Sequence, residues 1–462
     1  SGLARLLRRT PEQESRWLNL RGRLWREVLR PGETRGRSGV ERAWEPLLRG
    51  QRGFLQVLDG EQKEGDLLEL DLAPPRHGQD VALSLDAELQ KAAQVAVVKA
   101  YGIAERRLEE GGVSVGGLKK PKAGMVLIDL ETGGLPVLAT VPSYTAAEYR
   151  SDYSRLAADS EGSPLRHRAL GGGFGGLAAP WPGSTLKPLW AAAALAEDES
   201  WAGKYFNCNG SWAPPGTGRA LRCDVRTGHG PLDMHGALVR SCNVWFYHLA
   251  DSMGYQALWG HAQSLGYGSP TGIELVRVED GLAGQMAGGP DAWLEKGANF
   301  LTPPAKAGGG LSPLHLAIGQ GHILASPLQI ARSYGWLATG ELPLPRLVLE
   351  EDGFSPAVPV SRAPALNSAI RARVNQALRE VVATPSGTAF DPEFDLAQWK
   401  IAGKTGTAQV SASRADGGGG KTHAWFAGFF PWDEPRYAFA IFCENVGLHG
   451  GDITTLVLHE FL

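Results

Sequence analysis

Trp181-Pro182-Gly183-Ser184-Thr185-Leu186-Lys187-Pro188 places a hydroxyl and an amine at i and i+3, and on a helix two such side chains share a face. Pro188 has no backbone N–H and is tolerated only near a helix start, so the spacing predicts a helix beginning close to Ser184. The run Leu189 to Ala196 that follows is apolar on every side, the pattern of a helix buried all round. A serine at the positive end of such a helix, with a lysine one turn on, has what an activated nucleophile requires: a base within reach and a dipole favouring developing negative charge. Taken alone, the octapeptide also reads as an N-capping serine beside a snorkelling lysine. The rest of the chain has to decide between the two.

The chain has 462 residues, 43% of them hydrophobic, which is enough for a large core and two or three domains and excludes a disordered protein. Its formal net charge of −3 is too near neutral for wholesale nucleic-acid binding, although residues 1 to 52 carry thirteen arginines against six glutamates. The longest apolar run, Leu189 to Ala196, falls far short of the roughly 18 residues needed to span a bilayer. No secretory signal precedes Ser1, so the chain is expected to be cytosolic or an ectodomain whose anchor lies outside this sequence.

Residues 1 to 30 read as helix, with leucines and Trp17 among the arginines, stopped by Pro31-Gly32. Gly39 to Arg52 is a second helical pattern, and Phe54 to Val57 and Leu67 to Leu72 alternate like strands. Pro74-Pro75-Arg76-His77-Gly78 resembles a linker, giving a small N-terminal domain to about residue 79 and a second from 80 to 462. Val81 to Leu85 is strand-like, and Asp86 can cap a helix from Ala87 to Tyr101 that Gly102 stops. Gly124 to Leu130 and Leu135 to Thr140 flank Glu131-Thr132-Gly133-Gly134, a hairpin signature. Residues 141 to 180 read as a long polar, then glycine-rich approach, and 277 to 312 as another excursion. Ser326-Pro327 opens a helix through Ala338, and Ile401 to Val410, His423 to Phe430 and Tyr437 to Asn445 read as strands. Helices interleaved with an antiparallel sheet predict an α+β fold.

Onward from Ser184 come Ser241-Cys242-Asn243 and Lys404-Thr405-Gly406-Thr407, so S-x-x-K, S-x-N and K-T-G each occur once and in that order. With these, the sequence resembles the penicillin-recognising serine transpeptidases, class B penicillin-binding proteins in particular. The likeness covers roughly residues 39 to 450 and extends to Gly39-Val40-Glu41, Leu48-Arg49-Gly50, Asp86 to Gln90, Gly319-Gln320-Gly321 and Trp425 to Gly428. Three ordered motifs settle the reading of the octapeptide toward chemistry. Gly417 to Thr422 imitates the end of a phosphate-binding loop, but Ala415 stands where that pattern requires glycine. It reads as a flexible loop.

The resemblance implies an acyl transfer. Ser184 would attack the carbonyl of a D-Ala-D-Ala stem peptide, forming an acyl-enzyme. Lys187 must accept its proton, and a lysine near its reference pKa of about 10.4 is a poor base at neutral pH. It must be desolvated or crowded by a second cation, for which Lys404 is available. Ser241 would relay the proton to the departing nitrogen, and Asn243 would hold the substrate amide and orient Lys187. Thr405 and Thr407 offer hydroxyls to the terminal carboxylate, and Gly406 lets the peptide lie against the strand. The backbone N–H groups of Ser184 and Thr407 would form the oxyanion hole.

Three of the four cysteines cluster, and Cys208, Cys223, His229 and Cys242 offer three thiolates and an imidazole, a zinc set of the Cys3His type. A Cys208–Cys223 disulfide or free thiols are the alternatives. The surroundings of Cys208 and His229 resemble the elongation-type group, the penicillin-binding protein 2 type, some members of which carry a metal here. The chemistry itself requires no cofactor.

The expected molecule is thus a pedestal domain joined to a transpeptidase domain with a central antiparallel sheet. The resemblance implies a periplasmic or otherwise extracytoplasmic enzyme, anchored by an N-terminal helix absent from this chain and inhibited by β-lactams. Its expected partner is the multi-spanning glycosyltransferase of the shape and elongation machinery, with no nucleic acid. The usual Arg-Gly-x-Ile-x-Asp-Arg segment is missing from the start, so the pedestal is expected to be incomplete. A D,D-carboxypeptidase, a β-lactamase or a non-enzymatic β-lactam sensor would share the same acylation site.

Overall fold

A computed structural model describes residues 36, 39–50, 54–57, 70–73, 75–112, 118–173, 180–273, 275, 300–307, 310–349, 363–410 and 422–462. The helix expected over residues 1 to 30 and the loop 417–421 lie outside these residues. The described residues up to Ala82, together with Leu275, fall into one unit, and those of Leu83–Ile273, Val278–Leu349 and Ala357–Leu462 into a second. In the first, α1 (Gly39–Ala43) and α2 (Glu45–Leu48) precede an antiparallel pair, β1 (Phe54–Val57) and β2 (Leu70–Ala73). The single helix expected over Gly39 to Arg52 breaks at Trp44, because Pro46 lacks the N–H that an unbroken ladder needs.

The second unit opens with α3 (Ala87–Glu110), whose N-cap Asp86 accepts from the N–H groups of Glu88 and Leu89. It runs straight through Gly102, where the sequence predicted a stop, and ends at Gly111. Ala93, Val97, Ala100, Tyr101 and Ala104 recur at helical spacing on its buried face. An interior glycine costs about 1 kcal/mol, less than that face gains by burial. Val81 to Leu85 forms no strand, only a bridge from Leu83 to Val348. Leu83 is exposed and Ser84 spends its hydroxyl on the Arg346 carbonyl and the Leu135 N–H.

The predicted hairpin forms as β3 (Ala123–Asp129) and β4 (Val137–Val141). The segment 141–180, expected to be irregular, holds α4 (Ala146–Ser151), α5 (Tyr153–Ala158) and the short pair β5 (Arg166–His167) and β6 (Gly172–Gly173). Thr145 and Glu148 form a capping box that starts α4. Then come α6 (Lys187–Glu197), β7 (Phe206–Cys208), β8 (Ser211–Trp212), β9 (Leu221–Arg222), β10 (Gly230–Leu232), α7 (Met234–Val239) and α8 (Asn243–Ser264), the last broken at Gly254. Of the excursion expected at 277–312, the described part contains β11 (Phe300–Leu301) and α9 (Pro304–Ala307), followed by α10 (Ser312–Ala317) and β12 (Ile323–Leu324), which pairs with β11. Next, α11 (Pro327–Thr339) has Ser326 as N-cap and the left-handed Gly340 as C-cap. The chain closes with α12 (Ser368–Ala383), β13 (Ala402–Gln409), β14 (Thr422–Phe430), β15 (Tyr437–Cys443) and α13 (Gly450–Phe461).

Five strands make one antiparallel sheet in the order β13-β14-β15-β3-β4, so β13 is an edge. One face carries Met125, Leu127, Phe426, Phe439 and Ile441 against α3 and α13, whose Ile453, Leu456 and Val457 complete that core. The wholly buried stretch Pro327 to Ala338 of α11 covers the opposite face. Helices on both faces of an antiparallel sheet make this an α+β fold. Among the described residues, no helix is long and apolar enough to cross a membrane.

Candidate active site

Ser184 lies in a 3-10 turn, Gly183–Leu186, and the α-helix starts only at Lys187, three residues later than expected. The tighter turn is imposed from outside. Gly183 is left-handed, with φ of 61°, and a Cβ there would sit 2.8 Å from the Thr407 carbonyl oxygen. Its N–H donates to the carbonyl of Gly319 at 2.9 Å, and a Cβ on Gly319 would meet the Gly183 carbonyl oxygen at 2.1 Å. Two bare backbones thus press together and hold Ser184 against β13. Thr185 is fixed through its hydroxyl to the Pro182 carbonyl at 2.8 Å, and its own carbonyl accepts from Tyr334 at 2.9 Å. The Ser184 hydroxyl is part exposed and takes no hydrogen bond among the described residues.

Lys187 is fully buried. Its Nζ donates to the Ser241 carbonyl at 2.8 Å, Asn243 Oδ1 at 2.7 Å and Ser241 Oγ at 3.3 Å, so the ammonium is held by three acceptors. Burial pulls its pKa down to about 8, against the opposing pull of the Cys223, Cys242 and Cys208 thiols and Asp224. Ser241 occupies the left-handed region at φ 55°. For a residue with a Cβ this costs roughly 1–2 kcal/mol, and the conformation links the end of α7 to Asn243 at the start of α8.

Lys404 is also fully buried and donates to the Thr405 carbonyl at 3.0 Å and to Thr388 Oγ1 at 3.4 Å. Burial first, then the Lys187 charge, holds its pKa well below the usual lysine range. The crowding expected from two lysines therefore registers at Lys404, whereas at Lys187 desolvation does the work. Gly406 packs against the turn, since a Cβ there would lie 3.0 Å from the Pro182 carbonyl oxygen and Thr185 Cγ2. Thr405 Oγ1 lies 2.6 Å from Thr388 Oγ1, and Thr407 Oγ1 accepts the Gly450 N–H at 3.2 Å. That acceptor role leaves the Thr407 hydroxyl hydrogen free to be donated outward.

The thiols and imidazole converge beside this cleft. The ligand atoms of Cys208, Cys223, His229 and Cys242 all lie within 4.8 Å of one another. Pairing of β7 with β10 sets Cys208 opposite Gly230, next to His229, and Cys242 precedes α8. His229 Nδ1 lies 3.6 Å from Cys208 Sγ and 3.5 Å from Cys223 Sγ. All four cysteines are free thiols, with no Cys208–Cys223 disulfide. Hydrogen bonding from Cys242 lowers the Cys223 pKa and raises its own, which favours a thiolate at Cys223.

Some participants were not singled out from sequence. Thr388, bonded to both Lys404 and Thr405, sits in no recognisable motif. Gly319 was noted only as part of Gly-Gln-Gly, and its contact with Gly183 is visible only in three dimensions.

The family described as the penicillin-binding protein transpeptidase domain matches residues 123–462. The chain is 29% identical over 455 residues to the peptidoglycan D,D-transpeptidase MrdA of Acinetobacter baumannii, covering 92% of this chain and 60% of that protein. Its structure is similar to that of Pseudomonas aeruginosa PBP2 in complex with WCK 5153, with a TM-score of 0.69, 25% identity and coverage of 92% of this chain and 81% of that one. It is also similar to a chain from a study of how a peptidoglycan synthase complex coordinates polymerization and crosslinking, with a TM-score of 0.71, 27% identity and coverage of 94% and 70%.

Proposed function

The chain belongs to the penicillin-binding protein transpeptidase family, and on that premise we propose that it is a serine D,D-transpeptidase of the elongation, penicillin-binding protein 2 type, cross-linking peptidoglycan stem peptides. The observation that carries this reading is the wholly buried Lys187, pulled down to about 8 and bonded to Ser241 and Asn243 one helical turn from Ser184.

In the proposed reaction, neutral Lys187 takes the proton of Ser184 as Oγ attacks the penultimate D-alanine carbonyl carbon. The oxyanion is received by the N–H groups of Ser184 and Thr407, each donor being worth roughly 3–4 kcal/mol in such sites. The C–N bond to the terminal D-alanine then breaks, and the proton passes through Ser241 to the leaving nitrogen. An ester on Ser184 remains. An acceptor amine attacks that ester, a new C–N bond forms, the C–Oγ bond breaks and Ser184 regains a proton. Lys404, Thr405 and Thr407 hold the donor's carboxylate, and β-lactams enter by the same acylation.

Cys208, Cys223, His229 and Cys242 would hold a structural zinc ion, whose chemistry would be to bind the loops that flank Ser241. The donor set fits: three soft thiols and an imidazole converge, and the Asn243 N–H donates to Cys223 Sγ at 3.3 Å, an outer contact suited to a thiolate. Residues up to about 79 would form the pedestal. We further propose an extracytoplasmic location with a membrane anchor, and a glycosyltransferase of the elongation machinery as partner, in keeping with the synthase-complex relative.

Labelling with a fluorescent penicillin tests the core of this reading. Wild type should carry a long-lived adduct that Ser184→Ala abolishes, and product analysis with an amine acceptor should give cross-linked peptide. An unlabelled wild type, or release of trimmed peptide alone, would overturn it.

A further inference from the structure

Two exposed side chains outside the three motifs meet across the cleft. Asp224 follows β9, whose Arg222 carbonyl lies 3.5 Å from Asn243 Nδ2 and accepts from Tyr247 at 3.2 Å, so it belongs to the Asn243 wall. His449 precedes Gly450, whose N–H is bound to Thr407, so it belongs to the opposite wall. His449 Nδ1 and Asp224 Oδ2 are 3.7 Å apart, with the two side chains 63% and 66% exposed. The pair therefore bridges the mouth of the site yet remains open to solvent.

Charge makes this position unusual. The floor of the cleft carries two lysines, and an acceptor amine arriving as an ammonium is repelled by any positive charge there. Asp224 is the carboxylate whose field reaches both Lys187 and Lys404. A nucleophile that must come close to two lysines gains from an anion at the entrance, which attracts it and then releases it once it has lost its proton.

We propose that Asp224 is the docking anion for the cationic amine of the acceptor substrate, with His449 as the resting partner that the amine displaces. Asp224 is thus a specificity-determining residue for the second half of the reaction. Its part in acylation is limited to its charge, which raises the pKa of Lys187. This inference rests on the transpeptidase reading above.

The test separates an effect on a charged acceptor from a general loss of aminolysis. Wild type, Asp224→Asn and Asp224→Glu are acylated by a D-alanyl thioester, and the acyl-enzyme is partitioned between water and two nucleophiles, D-lysine, which is cationic at neutral pH, and hydroxylamine, which is not. Asp224→Asn is expected to lower kcat/KM for D-lysine about two- to fivefold, the size of one lost surface charge contact. Metal content and the partition of the acyl-enzyme between hydroxylamine and water should stay unchanged, since a shift in Lys187 basicity from the lost Asp224 charge acts on both alike, and Asp224→Glu should recover most of the loss. An equal fall with both nucleophiles, no fall with either, or a fall that tracks lost metal would overturn the proposal. Loss of penicillin labelling in wild type would instead strike the transpeptidase reading itself.

Discussion

The pKa of Lys187 sets a measurable pH profile for acylation. At a value of about 8, roughly 9% of the lysine is neutral at about pH 7 and roughly 90% at about pH 9. Second-order acylation by a fluorescent penicillin should therefore rise about tenfold across that interval, with unit slope at the acid end and a plateau above pH 9 or so. An ordinary lysine would be only about 0.03% neutral at pH 7, so burial raises the competent fraction about 300-fold. Stopped-flow labelling in buffers of matched ionic strength would follow the rise. A flat profile, or a rise that continues unbroken toward pH 10, would refute the argument that desolvation makes Lys187 the base. Stability carries the same signature. The folded pKa lies below the unfolded one, so the unfolded chain binds the extra proton in the window between the two. The burial penalty, about 3 kcal/mol by that displacement, is fully present below pH 8 and disappears as pH rises toward 10.5.

Three other outcomes follow from the geometry. Gly319→Ala places a Cβ 2.1 Å from the Gly183 carbonyl oxygen at φ 67°, and if Ser184 shifts by about 1 Å the acylation rate should drop about 100-fold; near-native labelling would refute the contact. Arg168→Met leaves Glu444 buried without its 2.8 Å partner and should destabilise the fold by about 3–5 kcal/mol in denaturant titrations, whereas a change below about 1 kcal/mol would mean that Arg166 alone suffices. Chelation of metal from the Cys208, Cys223, His229 and Cys242 cluster should lower Tm and expose titratable thiols, and unchanged melting with and without chelator would argue that the cluster works as packed thiols.

What could be read from the amino-acid order depended on how local its cause was. Caps and hairpins are local, so Asp86, Ser326 and the Glu131–Gly134 turn marked their elements before any coordinates. Gly102 misled because the force that carries α3 past it comes from α13, far along the chain. The start of the Ser184 helix was misjudged for a similar reason: Gly319, more than a hundred residues on, bends that turn into a 3-10 form. Within the site, Ser184, Lys187, Ser241, Asn243 and Lys404 stood out as ordered motifs, and the structure brings them into one cleft. Thr388 could not stand out, since a lone threonine acquires meaning only from the two side chains it touches. Likewise, the pairing of Asp224 with His449 joins segments more than two hundred residues apart.

The position of β13 at the border of the sheet has a further consequence. An unpaired border is where chains of different molecules zip together into aggregates, yet a strand that must receive an extended peptide has to leave its hydrogen-bonding groups uncovered. Here the Gly183 turn lies against Thr407, and the buried Lys404 sets a cation in the middle of the strand. A neutral strand from a second copy laid along β13 would leave that buried charge without a counterion, while a short peptide ending in a carboxylate would supply one. On the proposed reading, the lysine that anchors the substrate would thereby also keep the protein from becoming its own ligand.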